Sequence, residues 1–308
     1  MTGAAIVGWG AALPDTVVTN AEFEARLDTT DTWITERTGI RERRIGGTTG
    51  ELATVAARTA LEVAGADPAT VDLLLLATTT PDQQMPATSS SVQAALGLGG
   101  GALDVNAACS GFVYALVAGS AMVATGASRV LVIGADVISR LIDPDDRGTA
   151  VLFGDGAGAV VLDAVEGPGQ LLGWDLGSDG AARHLLYADL GATARMDGPE
   201  LFRRAVRVMV DSSEMALKRA GLTAADVDLL VPHQANVRII EAACTRLGIP
   251  VERTSVVLDR TGNTSAASIP IALTNAVHTD RLTDGDTVLL VGFGAGMTWA
   301  SAVLRWGR

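Results

Sequence analysis

Two kinds of apolar segment alternate along the chain. Short apolar runs entered from polar turns predict strands, and longer stretches with helical spacing predict helices. The two kinds recur in a fixed order. Ala60–Leu74 (ALEVAGADPATVDLL) and Ala216–Leu230 (ALKRAGLTAADVDLL) match at nine of fifteen positions, at an offset of 156. Each copy reads as a helix end, a glycine cap, a loop and a buried strand. A second pair follows at an offset of 158: Ser128–Gly134 (SRVLVIG) and Asp286–Gly292 (DTVLLVG). Both read as central strands stopped by glycine. The chain therefore reads as two similar halves, 1–165 and 166–308, joined through the Gly- and Pro-containing stretch Val165–Gln170 (VEGPGQ), although chance similarity between two αβ units would also produce such matches. Strands alternating with helical patterns favour an α/β fold with largely parallel sheets.

One uncharged stretch, Val105–Ser128, is long enough to span a bilayer. It contains Asn106, Ser110, Ser120 and Thr125 and is mostly Ala and Gly where lipid contact would favour larger side chains. It reads as a strand end followed by a helix buried on all sides of a core. The N-terminus, MTGAAIVGWGAALP, lacks a basic segment and is broken by Gly8 and Gly10, so it reads as a first strand and not as a signal peptide.

Composition narrows the function. Of 308 residues, 48% are hydrophobic and 19% charged, which excludes disorder as a description of the whole chain. The formal net charge of −12 argues against a nucleic-acid partner, which needs a basic surface. The single lysine, Lys218, lies in a helical pattern with no Gly-rich loop before it, so a Schiff base and a P-loop both drop out. Two distant cysteines, Cys109 and Cys244, make neither a zinc ribbon nor a disulfide scaffold. They suggest a reducing, cytoplasmic setting in which a lone thiol can be a reagent.

Three residues could carry chemistry. Cys109 falls between a strand, Ala102–Asn106, and a helix over 109–124. A helix N-terminus there favours a thiolate and can donate to a developing oxyanion, although most free cysteines are small buried hydrophobes. Cys244, at helical spacing from Ile240 and Leu247, reads as core. His233 follows the repeated strand (VDLLVPHQAN), at the strand end where open α/β sheets place ligands, although a loop histidine satisfied by neighbours fits it too. His184 and His278 lack such a context. Asn263 (RTGNTSAASIPIAL) could simply cap a helix. In the frame of the repeat, however, its turn lies close to the one carrying Cys109, and a pseudo-twofold would bring the two helix starts together. The glycines 154–158 and 292–296 do not fit GxGxxG, and Gly8-Trp-Gly10 lacks the third glycine with Pro14 breaking the helix the fingerprint needs, so the dinucleotide signal is weak; no G-x-S-x-G is present, so a serine-hydrolase elbow is unsupported.

These residues resemble the 3-oxoacyl-acyl-carrier-protein synthase III family of condensing enzymes. The stretches DTWITERTGIRERR (31–44), DVNAACSGFVYAL (104–116), DRGTAVLFGDGAGAVVL (146–162), LLVPHQANVRII (229–240), RTGNTSAASIPIAL (260–273) and GFGAGMTWASAVLRW (292–306) carry the likeness. It implies the thiolase fold, two βαβαβαββ halves in five layers. It implies Cys109 as the acylated nucleophile, His233 and Asn263 as its partners, and the amides of Cys109 and Gly296 as an oxyanion hole. It further implies that Trp33, Arg37 and Arg147 receive coenzyme A and that Met85 lines the primer pocket across a homodimer interface. Arg203, Arg238 and Arg246 would meet the carrier protein. Acyl-CoA and malonyl-acyl-carrier protein would be substrates, with no resident cofactor and no metal.

The implied reaction is a decarboxylative condensation through an acyl-cysteine, with ping-pong kinetics. A carboxylate at position 263 could not donate to an enolate in its ionised form, whereas an amide can. Residues 203–253 carry eight Lys/Arg and six Asp/Glu, a local +2 against −14 elsewhere, which suits an acidic partner, although ordinary solvated helix faces would show the same count. Two rivals keep the same thiol: acyl transfer from Cys109 to a hydroxyl or amine without condensation, and a non-catalytic partner subunit. The segment Gly177–Glu200 looks short for the family, which leaves the primer acyl chain open.

Overall fold

The computed structural model describes residues 2–307. The first half supplies strands β1 (Thr2–Ala12), β2 (Leu73–Ala77), β3 (Gly101–Val105), β4 (Arg129–Val137) and β5 (Asp155–Glu166). The second supplies β6 (Leu171–Ser178), β7 (Leu229–Pro232), β8 (Thr287–Gly294) and β9 (Thr298–Arg305). The main helices are α1 (Asp31–Thr38), α2 (Thr49–Ala64), α3 (Thr88–Leu96), α4 (Gly111–Ala124), α5 (Gly198–Ala220), α6 (Val237–Leu247) and α7 (Ser268–His278).

The first sheet runs β1-β5-β4-β2-β3 and the second runs β6-β9-β8-β7. The two orders superimpose, with β3 matched by a single parallel bridge, Leu230 to Thr254. The sheets are mixed and not largely parallel: β2 is parallel to β3 and β4, and β7 to β8, while β1, β5, β6 and β9 pair antiparallel. The reason is local. β4–β5 and β8–β9 are successive strands that pair directly with each other, and such neighbours run antiparallel unless a crossover separates them.

Side chains along each central strand alternate between two buried faces. Leu75, Val130, Val132, Val288 and Leu290 face a middle layer built on α4 and α7. Leu74, Leu76, Leu131 and Ile133 face α2 and α3 on one outside. Leu289, Val291 and Val303 face α5 and α6 on the other. The result is the five-layer arrangement. Each fully buried Val or Leu in it contributes about 1.5–3 kcal/mol, and burial on both faces explains the near-continuous apolar runs.

The repeated aspartate has a structural role. Asp72 accepts hydrogen bonds from the Ser128 and Arg129 amides at 2.6 and 3.1 Å, and Asp228 accepts one from the Thr287 amide at 2.8 Å. In each half it ties the start of one parallel strand to its neighbour. The helix caps also repeat, with Gly65 and Gly221 at φ 61° and 71°. Two details differ from the sequence reading. Helix α4 is buried through Val117 apart from half-buried Tyr114, but Ala118, Ala121, Met122 and Ala124 near its end are exposed, so it is not enclosed on all sides. Gly134 and Gly292 lie inside β4 and β8 and do not stop them. Among the described residues no helix is long and apolar enough to cross a membrane.

Candidate active site

The two turns read as related by the repeat have the same construction. After β3, the Asn106 Oδ1 accepts from the Ala108 amide at 3.2 Å, Ala108 takes φ 48°, a 3-10 turn covers Ala108–Ser110, and α4 begins at Gly111. In the second half, the Asn263 Oδ1 accepts from the Ser265 amide at 2.9 Å, Ser265 takes φ 52°, a 3-10 turn covers Ser265–Ala267, and α7 begins at Ser268. The offset is 157 residues throughout. Left-handed φ at a non-glycine residue is strained and persists only where the surroundings enforce it. Cys109 therefore sits in the 3-10 turn ahead of the helix and not on its first turn, as the sequence had suggested.

The two turns meet. The Ser265 hydroxyl donates to Cys109 Sγ at 3.3 Å. This contact explains the strand glycines. A Cβ on Gly134 would lie 2.3 Å from the Ala266 carbonyl oxygen, and one on Gly292 would lie 3.3 Å from Ser110 Cα. Each half leaves room in its central strand for the other half's turn.

Beneath this junction lies Asp136, fully buried. Its Oδ1 accepts from the Thr79 and Thr80 amides at 2.7 and 3.1 Å and from the hydroxyls of Thr78, Thr79 and Thr80, and its Oδ2 accepts from the Ala266 amide at 3.0 Å. One carboxylate thus ties the end of β2 to the turn that presents Ser265. Replacing Asp136 with alanine would strand these buried donors. The expected loss is about 3–5 kcal/mol, read as a lowered denaturation midpoint; a loss below about 1 kcal/mol would mean that water replaces the carboxylate.

His233 follows β7 and is 2% exposed. Its amide donates to the Val291 carbonyl at 2.8 Å, its ring meets Phe293 edge-on at 5.3 Å, and its Nδ1 lies 2.7 Å from Ser268 Oγ. Burial pushes the imidazole down to about 3, so the ring is neutral at physiological pH. Asn263 is held by its backbone to the first half: its amide donates to the Leu152 carbonyl and its carbonyl accepts from the Gly154 amide, at 2.9 and 3.0 Å. With Oδ1 engaged by Ser265, the Nδ2 side of the amide is left to donate. The thiol is a correction to the electrostatic expectation. Burial pushes Cys109 up to about 12, against the pull of the Ser265 hydroxyl, so the resting sulfur is a thiol and not a thiolate.

Two cavities converge on Cys109. One, of about 450 Å³, has Trp33, Arg37 and Arg238 along its wall and reaches His233, Asn263 and Cys109. The other, of about 440 Å³, begins at Cys109 and is lined by Thr79, Ile138, Leu141 and Ile142, with Gly296 on the wall. Cys109, Phe153 and Leu186 border both. The segment 177–200 contributes Arg183, Leu186, Tyr187 and Ala194 to the second cavity. The structure therefore brings Cys109, His233, Asn263, Gly296, Trp33, Arg37 and Arg238 to one continuous region. Arg147 stacks over the Trp33 ring at 4.9 Å. Met85 lines neither cavity and is 85% exposed. Arg203 pairs with Glu200 at 2.5 Å beside Asp175 and Asp179, and exposed Arg246 sits at the last turn of α6. Cys244 is core, bonded to the Thr254 hydroxyl at 3.3 Å. Among the described residues no His/Cys/Asp/Glu group is arranged to hold a metal ion. Sequence reasoning missed Ser265, Ser268 and Asp136; the strict 157-residue correspondence was the signal that could have found the first two.

Comparison with known proteins places this architecture. The chain resembles the solved 3-oxoacyl-[acyl-carrier-protein] synthase III of Aquifex aeolicus VF5, at 46% identity over 99% of this chain and all of that one, with a TM-score of 0.96. It also resembles the priming beta-ketosynthase of the R1128 polyketide pathway, at 37% identity over 98% of this chain and 95% of that one, with a TM-score of 0.93. The fold is thus that of the thiolase-like condensing acyltransferases. Residues 103–180 match the family 3-oxoacyl-[acyl-carrier-protein (ACP)] synthase III, and residues 217–306 match its C-terminal part. The beta-ketoacyl-[acyl-carrier-protein] synthase III of Roseiflexus castenholzii is 51% identical over 98% of both chains. The chain belongs to the 3-oxoacyl-[acyl-carrier-protein] synthase III family.

Proposed function

We propose that this enzyme condenses an acyl-CoA primer with malonyl-acyl-carrier protein to give 3-oxoacyl-acyl-carrier protein, starting a fatty-acid or polyketide chain. The observation that carries the reading is the position of Cys109 between two cavities, one shared with His233 and Asn263 and one able to hold an acyl chain. Coenzyme A enters past Trp33 and Arg37, with Arg147 stacked beside the indole. Cys109 sulfur bonds the thioester carbonyl carbon, the carbon–sulfur bond to coenzyme A breaks, and the thiol proton leaves with the coenzyme A sulfur. The acyl group then rests in the second cavity.

Malonyl-carrier protein follows through the same entrance, where Arg238 and the more distant Arg203 and Arg246 offer positive charge to an acidic partner. Loss of CO2 leaves an electron pair on the thioester enolate. The neutral imidazole of His233 and the amide of Asn263 donate to its oxygen. The nucleophilic carbon attacks the acyl-cysteine carbonyl, the amides of Cys109 and Gly296 hold the tetrahedral oxyanion, and the Cys109 sulfur departs as a thiolate that takes a proton from solvent to restore the thiol. These groups supply the chemistry without a resident metal or cofactor.

A homodimer completes the proposal. β3 is one of the two outer strands of its sheet, it exposes Leu103 at 43%, and Met85 stands out on the same half at 85%. An unpaired strand edge with apolar side chains is a template for a second copy, and Met85 would then reach the partner's primer cavity. Two free thiols suit the reducing cytoplasm. The test is a panel of acyl-CoAs with malonyl-carrier protein, followed by mass analysis. The expected result is an acyl adduct on the Cys109 peptide together with CO2 release and a 3-oxoacyl product. An adduct that forms and transfers without CO2 release would favour simple acyl transfer.

A further inference from the structure

We propose that Ser268 is a positioning residue that fixes the tautomer of His233, making Nδ1 the acceptor and Nε2–H the donor available to the reaction cavity. The tautomer follows from geometry and hydrogen counting. Its catalytic consequence rests on the condensing function proposed above.

Ser268 Oγ lies 2.7 Å from His233 Nδ1 and accepts from the Gln234 amide at 3.3 Å. Ser268 is 1% exposed. Among the described residues, the only acceptor in reach of its own hydroxyl hydrogen is Nδ1. Were Nδ1 protonated, it would donate to Oγ, and the serine hydrogen would be buried without an acceptor, which costs free energy. With Nδ1 accepting, all three groups are satisfied and the ring proton must sit on Nε2. The Gln234 amide is itself held in place, because its side chain donates to the Pro232 and Ser255 carbonyls and accepts from the Val257 amide. Burial keeps the ring neutral, so the doubly protonated form does not blur the assignment.

The duplication provides an internal control. By the offsets that align the halves, His233 corresponds to Ala77 and Ser268 to Gly111. Those two positions also face each other: a Cβ on Gly111 would lie 3.2 Å from Ala77 Cβ. The first half fills the pair with residues that have nothing to donate or accept. The second half fills both positions with hydrogen-bonding side chains. A hydroxyl needed only to start a helix would have no reason to be paired with an imidazole in this way.

The consequence concerns which step His233 serves. A ring with Nε2–H can donate to an enolate oxygen and cannot at that atom accept the Cys109 proton. Ser268 therefore commits His233 to the decarboxylation step.

The test is nitrogen-15 NMR of the full-length protein labelled at histidine. The chain has three histidines, so His184→Gln and His278→Gln assign the His233 signals. At pH 7 the expected spectrum shows a protonated Nε2 and a bare Nδ1. Ser268→Ala should give a tautomer mixture. It should slow malonyl decarboxylation by about tenfold or more while acylation of Cys109 changes by less than about threefold. Ser268→Thr, which restores the hydroxyl, should recover the tautomer and much of the rate. A wild-type spectrum with the proton on Nδ1 would overturn the proposal even if no variant folds. So would a folded Ser268→Ala protein with an unchanged tautomer and an unchanged ratio of the two rates. If the wild type shows the expected tautomer yet never decarboxylates malonyl-carrier protein, the functional reading fails and the tautomer assignment stands.

Discussion

Cys109→Ser should yield no acyl-enzyme from any acyl-CoA, a loss of at least about a thousandfold in the acylation rate. The substitution is nearly isosteric, and the Ser265 hydroxyl can bond an oxygen as well as a sulfur, so the turn should keep its shape. What disappears is a polarisable nucleophile. Among the described residues, the site around residue 109 contains no strong base to activate a hydroxyl: His233 is neutral, with burial holding it down to about 3, and Asp136 is occupied by threonine and amide donors. A thiol held up to about 12 can still react as its proton leaves with coenzyme A, whereas an alcohol is a far weaker acid and nucleophile. Intact-mass analysis after incubation with acyl-CoA reads the outcome directly. Cys244→Ser, which alters only the core contact with Thr254, should acylate like the parent protein. An adduct on Cys109→Ser that peptide mapping places away from position 109 would overturn the mechanism.

Much of this site was legible because the chain is duplicated. The matched strands 73–77 and 229–232 carry Leu-rich runs whose polar flank, Asp72 or Asp228, is kept for a hydrogen bond between parallel strands. The turns that lead into α4 and α7 come together through Ser265 and Cys109, as a pseudo-twofold requires. Strand direction was not legible. β4 and β5 are buried on both faces, so their apolar runs look alike whether the neighbour runs parallel or antiparallel. The glycines at 134 and 292 looked like strand ends, because the turn that needs their space comes from the other half of the chain. Asp136 looked like any aspartate in ADV; its donors lie 56 to 58 residues before it and 130 after it. The thiol's electrostatics were misjudged for a related reason. A helix N-terminus is a local feature that sequence reveals, whereas desolvation depends on packing from both halves.

Asn263→Ala should separate the two half-reactions. Asn263 makes two kinds of contribution. Its Oδ1 accepts from the Ser265 amide and helps hold the left-handed turn, and its Nδ2 remains free to donate into the cavity shared with His233 and Cys109. The backbone links to Leu152 and Gly154 do not depend on the side chain and should keep the turn in place. Acylation, which in the proposed mechanism uses the sulfur and the backbone amides, should therefore survive. Condensation should fall by about 100- to 1000-fold, the usual cost of removing one oxyanion donor. Asn263→Asp sharpens the test. An aspartate can still accept from the Ser265 amide, so the turn is preserved, but in its ionised form it has no hydrogen to give and adds negative charge where the enolate forms. It should acylate normally and condense no better than the alanine variant. Single-turnover acylation and CO2 release from malonyl-carrier protein, measured on the same preparations, give the ratio. Equal losses in both steps would mean that residue 263 shapes the site for the thiol and that the enolate is stabilised elsewhere.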